Sequence, residues 1–161
     1  VKSQLQAGDL RRTIRHVLER DRIEKARRES EQKLRAIFET SPQCIKVLNA
    51  AGELLQMNPA GLRMLDAENA QALLGKCVLP IVAPEDRESY RAYHDSICQG
   101  KSGTLEFDVI SLQGIRRNLI TTSAPLLDSD GTTLHLAITQ DISKRKEAEQ
   151  ELYLRERAIQ A

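Results

Sequence analysis

The chain predicts an α+β fold, a mixed sheet-and-helix domain carried between two long helices. Three observations predict it. Residues 9–40 contain neither Gly nor Pro and are dense in Arg, Glu, Lys, Leu and Ile. The middle of the chain breaks into short apolar runs alternating with polar residues, the period of strands, parted by turn residues. From residue 141 the pattern returns to charged helix formers.

Straight side chains lose little rotamer freedom in a helix, so 9–40 reads as one helix about 45 Å long. Leu10, Ile14 and Val17 have the four-then-three spacing of a coiled-coil seam, but its continuation through Asp21, Glu24 and Arg28 is polar, so the seam is interrupted. Leu34, Ile37 and Phe38 restore an apolar stripe and are the candidate dimer contacts. Ser41-Pro42 ends the helix, because the residue before a proline is pushed out of the α region.

A strand at 43–49, a turn at 50–53 and a second strand at 54–57 make a tight hairpin. Asn58-Pro59 then reads as an N-cap followed by Pro at the first helical position, with Leu62, Met64 and Leu65 facing inward. Residues 70–74 form another short helix stopped by Gly75. A third helix spans 84–99, with Glu85 and Asp86 in a first turn that favours negative charge and Gly100 beyond its end. Strands follow at 103–112, 117–126 and 133–140, with turns at 113–114 and 128–131. In the first of them Leu105, Phe107 and Val109 alternate with Glu106 and Asp108, as when one face is buried. Asp141 or Ser143 caps the last helix, and Asp141 is spaced to pair with Arg145 one turn on. Ile142, Arg145, Glu149, Leu152, Glu156 and Ile159 follow a three-four spacing in which only half the positions are apolar, so this seam binds weakly and is free to shift.

The divisions are a helical segment at 1–41, a core at 42–140 and an outgoing helix at 141–161. With 161 residues and 40% apolar content, the chain can supply one modest core. Net charge is +1, yet residues 1–41 hold 11 Lys/Arg against 7 Asp/Glu, and residues 42–140 hold 8 against 11. The basic residues of the first segment are interleaved with acids, as on a solvated helix, and aromatics are scarce; both count against a nucleic-acid partner. Cys44, Cys77 and Cys98 are widely spaced and odd in number, which fits a reducing cytoplasm better than a disulfide framework. No apolar run approaches the roughly 20 residues of a membrane helix. The start at Val1, without Met, suits a piece of a longer chain.

This order of elements resembles the bacterial PAS (S-box) sensory domain over residues 31–146, and particular words carry the resemblance. LRAIFETSP at 34–42 is similar to the helix that leads into many such domains, Asn58-Pro59-Ala60 to the start of their first inner helix, and DISKRK at 141–146 to their closing Asp-Ile-Thr and charged helix start, with Ser143 where Thr is usual. The resemblance implies a five-stranded antiparallel sheet with short helices on one face, flanked by signalling helices. Residues 1–22 resemble the last loop and helix of a response-regulator receiver, with Lys2 where the receiver has its phosphate-sensing Lys. RERAIQA at 155–161 resembles the opening of a further PAS helix. The implied parent therefore has an upstream receiver and a downstream PAS or output module, such as a histidine kinase or cyclic-dinucleotide enzyme, and the fragment itself is no enzyme.

What the resemblance implies for function is a sensor and dimerisation module, in which two copies join through the flanking helices and the core. Asp141, Ser143 and Arg145 form the signal-transmission joint. Alternatives are a ligand-independent spacer and a haem- or flavin-binding sensor. No cofactor is expected, and a small metabolite in the core is the open possibility. His94 is the one imidazole of the third helix but stands closer to Gly100 than the ligating His of haem relatives stands to the corresponding Gly. The Asn-Cys-Arg-Phe word of flavin relatives is missing, with Cys77 in a different setting. Cys44, Cys77 and Cys98 read as small buried apolar residues. His16, His94 and His135 show no metal-ligand spacing, and no nucleophile elbow frames the Ser, His and Asp present. Arg63 reads as exposed, while Arg116, Arg117, Asn118, Thr121, Thr122 and Ser123 are polar strand residues of which alternation turns half inward.

Overall fold

The computed structural model describes residues 2–161, without the side chains of Lys2 and Leu5, so the expectation for Lys2 lies outside it. Two compact units divide the chain at Phe38/Glu39. The first is nearly all of helix α1 (Lys2–Thr40), which runs through Gly8 and so starts earlier than residue 9. Local pairs support it: Arg27 meets Glu31 at 2.6 Å and Arg28 meets Glu24 at 2.8 Å, each one turn apart and worth a few tenths of a kcal/mol, about 0.3–0.5.

The second unit is built on a sheet of β1 (Cys44–Leu48), β2 (Leu54–Met57), β3 (Gly103–Ile110), β4 (Arg116–Leu127) and β5 (Thr133–Asp141). All neighbours are antiparallel, in the order β2-β1-β5-β4-β3, so the first and last strands lie side by side in the middle. The strands fall where the period-two runs place them, with shifts of one or two residues at some ends. Pro125 lies beyond the last β3 partner, Gly103 opposite Ser123, where β4 is open on one side and a missing N–H costs no ladder bond. At the β3–β4 turn Gly114 holds φ +79, a left-handed conformation that a side chain resists, and the Ser111 hydroxyl receives the N–H groups of Gln113 and Ile115.

Short helices close the inner face: α2 (Pro59–Met64), then α3 (Arg87–Cys98), with single 3-10 turns at Ala70–Ala72, Leu79–Ile81 and Pro84–Asp86 between and before them. The helix expected at 84–99 therefore begins with a 3-10 turn, and its acids do not cap it. Asp86 instead receives the Asp108 N–H at 2.8 Å, and Glu85 pairs with Arg116, so both acids clasp the start of α3 to strands β3 and β4. The Asn58 cap is as expected and does more. Its side chain, wholly buried, receives the N–H groups of Gly61 (3.1 Å) and Ile45 (2.8 Å) and donates to Gln43 O (2.9 Å), tying α2 to β1. Gly61 allows that approach, because a Cβ there would sit 2.5 Å from Met57 Cγ and 2.7 Å from Cys44 Sγ. The core joins Leu48, Leu54, Leu65, Val82, Phe107 and Leu119, among others, under the sheet. Cys77 is exposed, contrary to expectation, while Cys44 is buried. The outgoing helix α4 (Ser143–Gln160) follows β5 after one residue. Among the described residues no helix is long and apolar enough to cross a membrane.

Candidate functional site

Strand alternation turns Cys44, Lys46 and Leu48 of β1 toward the helices, and Lys46 is the unusual member of that row. It is 8% exposed, and its polar neighbour is the Tyr90 side chain. Its ammonium lies 5.8 Å from the Tyr90 ring centroid and 5.9 Å from that of Phe107, at the outer reach of a cation–π contact. Those rings are tilted against each other with centroids 4.9 Å apart. The Tyr90 hydroxyl is buried and has no hydrogen-bond partner besides Lys46. Burial lowers the Lys46 pKa, but Tyr90, by charge and by a side-chain hydrogen bond, and Cys44 raise it by more, so it lies above the ordinary lysine value. Burial pushes the Cys44 thiol up despite Lys46, keeping it protonated. These groups line a cavity of about 20 Å³, together with residues such as Met57, Met64, Leu65, Val82 and Thr139.

Beside this cavity two histidines meet that lie 41 positions apart. His94 Nδ1 is 2.7 Å from His135 Nδ1, and the rings are stacked. Partners dictate the tautomers. The Ala50 carbonyl, 3.1 Å from His94 Nε2, only accepts, so His94 carries its proton there and receives His135 Nδ1–H. His135 Nε2 then accepts from the Ser123 hydroxyl at 2.8 Å. Both rings are satisfied while neutral. Burial first, then Lys46 and His94, lower the His135 pKa to about 3. His94 thus has a protein partner at each ring nitrogen, and its pairing with His135 had no local sequence signal.

A second cluster lies where β5 becomes α4. The Asn118 backbone grips the junction twice, donating to Ser143 Oγ at 2.9 Å and accepting from Ile142 N at 2.8 Å. Ser143 donates through its hydroxyl (2.6 Å) and its N–H (2.9 Å) to Asp141 Oδ1. Asp141 and Ser143 therefore meet, but neither is the N-cap expected of them: that position is Ile142, whose apolar side chain makes no capping bond. Arg145 does not reach Asp141. It turns to Glu106 (3.4 Å) and Glu149 (3.5 Å), while Lys146 meets Glu106 at 2.9 Å. Asp141 has Arg117 as its cation instead, at 3.6 Å, because both lie on paired strands. Arg117 also donates to both Asp66 oxygens at 3.1 Å. Asp66 ends α2 in a left-handed conformation, φ 55, and the Ser111 hydroxyl and Arg117 hold its carboxyl below the usual range. Leu65, its neighbour, lines the cavity, so a continuous chain of contacts runs from cavity wall to outgoing helix.

The other expected residues divide by face. Thr121 and Ser123 point inward and Thr122 outward; Asn118 binds Asp108 at 2.6 Å, and Arg63 is exposed. Leu10, Ile14, Val17, Leu34 and Ile37 are exposed, Phe38 is half-buried, and Glu149, Leu152 and Ile159 are exposed. Ile142 is removed from the seam, because it is 3% exposed and belongs to its own core. Haem and flavin do not fit this interior. The cavity is far below the roughly 300–1,000 Å³ of sites for such ligands, and both His94 nitrogens face protein partners.

An inner sheet face roofed by short helices over a small cavity, with the last strand hydrogen-bonded to a charged outgoing helix, defines the class of α+β domain. The chain belongs to the PAS fold family, whose profile matches residues 38–147. Solved structures agree in fold. The PAS domain of an HTR-like protein from Haloarcula marismortui is 24% identical with a TM-score of 0.65, over 76% of this chain and 99% of that one. The PAS domain of Bordetella pertussis BvgS is 21% identical with a TM-score of 0.54, over 81% and 98%. A domain of the sensory box sensor histidine kinase/response regulator from Geobacter sulfurreducens is 21% identical with a TM-score of 0.55, over 67% and 92%. No curated protein matches the chain significantly.

Proposed function

We propose that this chain is the sensing, signal-transmitting and dimerising module of a multidomain bacterial signalling protein, cytoplasmic and working in a two-component or cyclic-dinucleotide pathway. Its partners are a second copy, an upstream receiver and a downstream PAS or output module. The observation that carries the reading is the contact chain Leu65–Asp66–Arg117–Asp141–Ser143, which links the cavity wall to the first turn of α4. A displacement of α2 changes how Asp66 holds Arg117, and so how firmly Asp141 holds the helix start. A joint with two arrangements separated by a few kcal/mol is what a transmitter needs. Exposed apolar residues along α1 and α4 support pairing with a second copy, since solvated helices gain their stability mainly from packing a face.

In the full-length parent, Asp141→Ala is expected to uncouple output from stimulus while lowering the domain's stability by about 1 kcal/mol or less, the scale of a helix-cap bond. Normally regulated output would overturn the joint. Sedimentation of the chain should show dimers, and a stable monomer at high micromolar concentration would overturn the assembly. The small cavity favours a second reading, a ligand-independent spacer. Native mass spectrometry separates the two, because a spacer retains no small molecule.

A further inference from the structure

The far nitrogen of His94 faces two groups, and both are able to ligate a metal ion. His94 Nε2 lies 3.1 Å from the Ala50 carbonyl oxygen and 3.6 Å from Cys98 Sγ, one turn further along α3. An imidazole and a thiol one turn apart project from the same side of a helix, the spacing at which helices present paired ligands to zinc. The separation fits as well. With bonds of about 2.0 Å to imidazole and about 2.3 Å to thiolate, a tetrahedral zinc ion holds its nitrogen and sulfur about 3.5 Å apart. Access comes from a groove of about 190 Å³ between the β1–β2 turn and α3, lined by Ala50, His94 and Asp95 among others. Burial and then Asp95 push the Cys98 thiol up, and the same carboxylate on the groove wall favours a dication. Partners on both His94 nitrogens shut out a haem but not a bare ion, because the partners at Nε2 themselves supply electron pairs.

The hydrogen bonds behind His94 let Nε2 be freed without orphaning a group. In the arrangement above, Ser123 donates to His135, His135 to His94, and His94 to Ala50. When each ring moves its single proton to its other nitrogen, His94 Nδ1–H donates to His135 Nδ1, and His135 Nε2–H donates to Ser123 Oγ. The Ser123 hydroxyl then donates to its other partner, the Tyr93 hydroxyl, which itself donates to Gly103 O at 2.9 Å. A ligating imidazole ordinarily gives its second N–H to such an acceptor, which fixes its tautomer. From this we infer that His94 Nε2 and Cys98 Sγ bind a zinc ion, with the Ala50 carbonyl and water completing its shell. The inference goes beyond the sensor and spacer readings and depends on neither. Among the described residues no three His, Cys, Asp or Glu side chains converge on one ion, so the site has two side-chain ligands and is exchangeable. As the ion binds, the Cys98 thiol proton leaves to solvent and the sulfur forms the metal bond, so affinity falls as pH falls. The ion ties the last turn of α3 to the β1–β2 turn.

The test is titration of the full chain, reduced and stripped of metal, with zinc in competition with a chromophoric chelator and with cobalt(II) as the spectroscopic probe. The expected result is one ion per chain with micromolar affinity, cobalt giving the near-ultraviolet band of a thiolate ligand. Cys98→Ser should remove that band and weaken zinc by more than tenfold, and His94→Gln should weaken it as much. His94 is buried, and should its variant not fold, Cys98→Ser, altered at a half-buried helix end, decides alone. Cys77→Ser, at the exposed thiol of the same groove, should leave both band and affinity unchanged. A chain that holds no zinc below millimolar concentration overturns the inference. So does bound cobalt without the thiolate band, or a band that survives Cys98→Ser.

Discussion

Helix α1 and the sheet domain obey different rules. Among the described side chains of residues 2–37 none is buried, and Leu10, Ile14, Val17 and Leu34 are between 50% and 64% exposed. That segment is held by helix propensity and by pairs one turn apart, such as Arg27 with Glu31. The domain is held by contacts between residues distant in sequence: Asn58 with Gln43 and Ile45, His94 with His135, Arg117 with Asp66. A local segment tolerates substitution and gains its definition from whatever binds it. A non-local one fails when a single buried group loses its partner.

The comparison breaks most visibly at Asn58. Asn58→Ala removes an acceptor for two N–H groups and the donor to Gln43 O, leaving buried backbone unpaired. The expected cost is about 3 kcal/mol, read as a fall in melting temperature of roughly 10 °C or more. A loss below about 1 kcal/mol for the Ala variant would show that the cap is not what fastens α2 to β1.

Next in size is the acid response of the His pair. His135 has a folded value of about 3, below the ordinary 6.5, so the unfolded chain takes up its proton first as pH falls. Stability from this residue is complete above pH 6.5 and declines below it by about 1.4 kcal/mol per pH unit. Urea unfolding between pH 6.5 and 5 isolates it, because Asp66, Glu85 and Asp130 are held low and protonate below that window. His135→Gln should flatten the slope. An unchanged slope would assign the acid response to another group.

The smallest effect on the domain is expected from the helix seam. Ile14→Lys should leave the core's unfolding within about 0.5 kcal/mol of the unaltered chain, as for other exposed sites. The same change should shift sedimentation toward monomer. A parallel loss of core stability would erase the distinction between the two regions.

Much of the domain could be read before the structure because its signals are local. Leu105, Phe107 and Val109 alternate with acids, Asn58-Pro59 opens a helix, and residues 9–40 lack any breaker. The contacts where β5 becomes α4 were legible in part: Asp141 and Ser143 meet there, but the expected Arg145 partner is replaced by Arg117, which only the β4–β5 pairing brings near. The cavity carried one readable sign. Lys46 is in phase with Cys44 and Leu48, and so faces inward on a strand whose inner row is otherwise apolar. The His94–His135 contact had none, since 41 residues and the docking of α3 on β5 separate cause from pattern.

The placement of β1 beside β5 has a mechanical consequence. The chain enters at Cys44 and leaves just past Thr139, and those two residues face each other as the first rung of the central pair. A force parting the incoming and outgoing segments peels that pair one rung at a time, whereas a force on opposite ends would shear every rung together. Cys44 and Thr139 both line the cavity. Tension between the two segments is therefore felt first at the wall of the cavity.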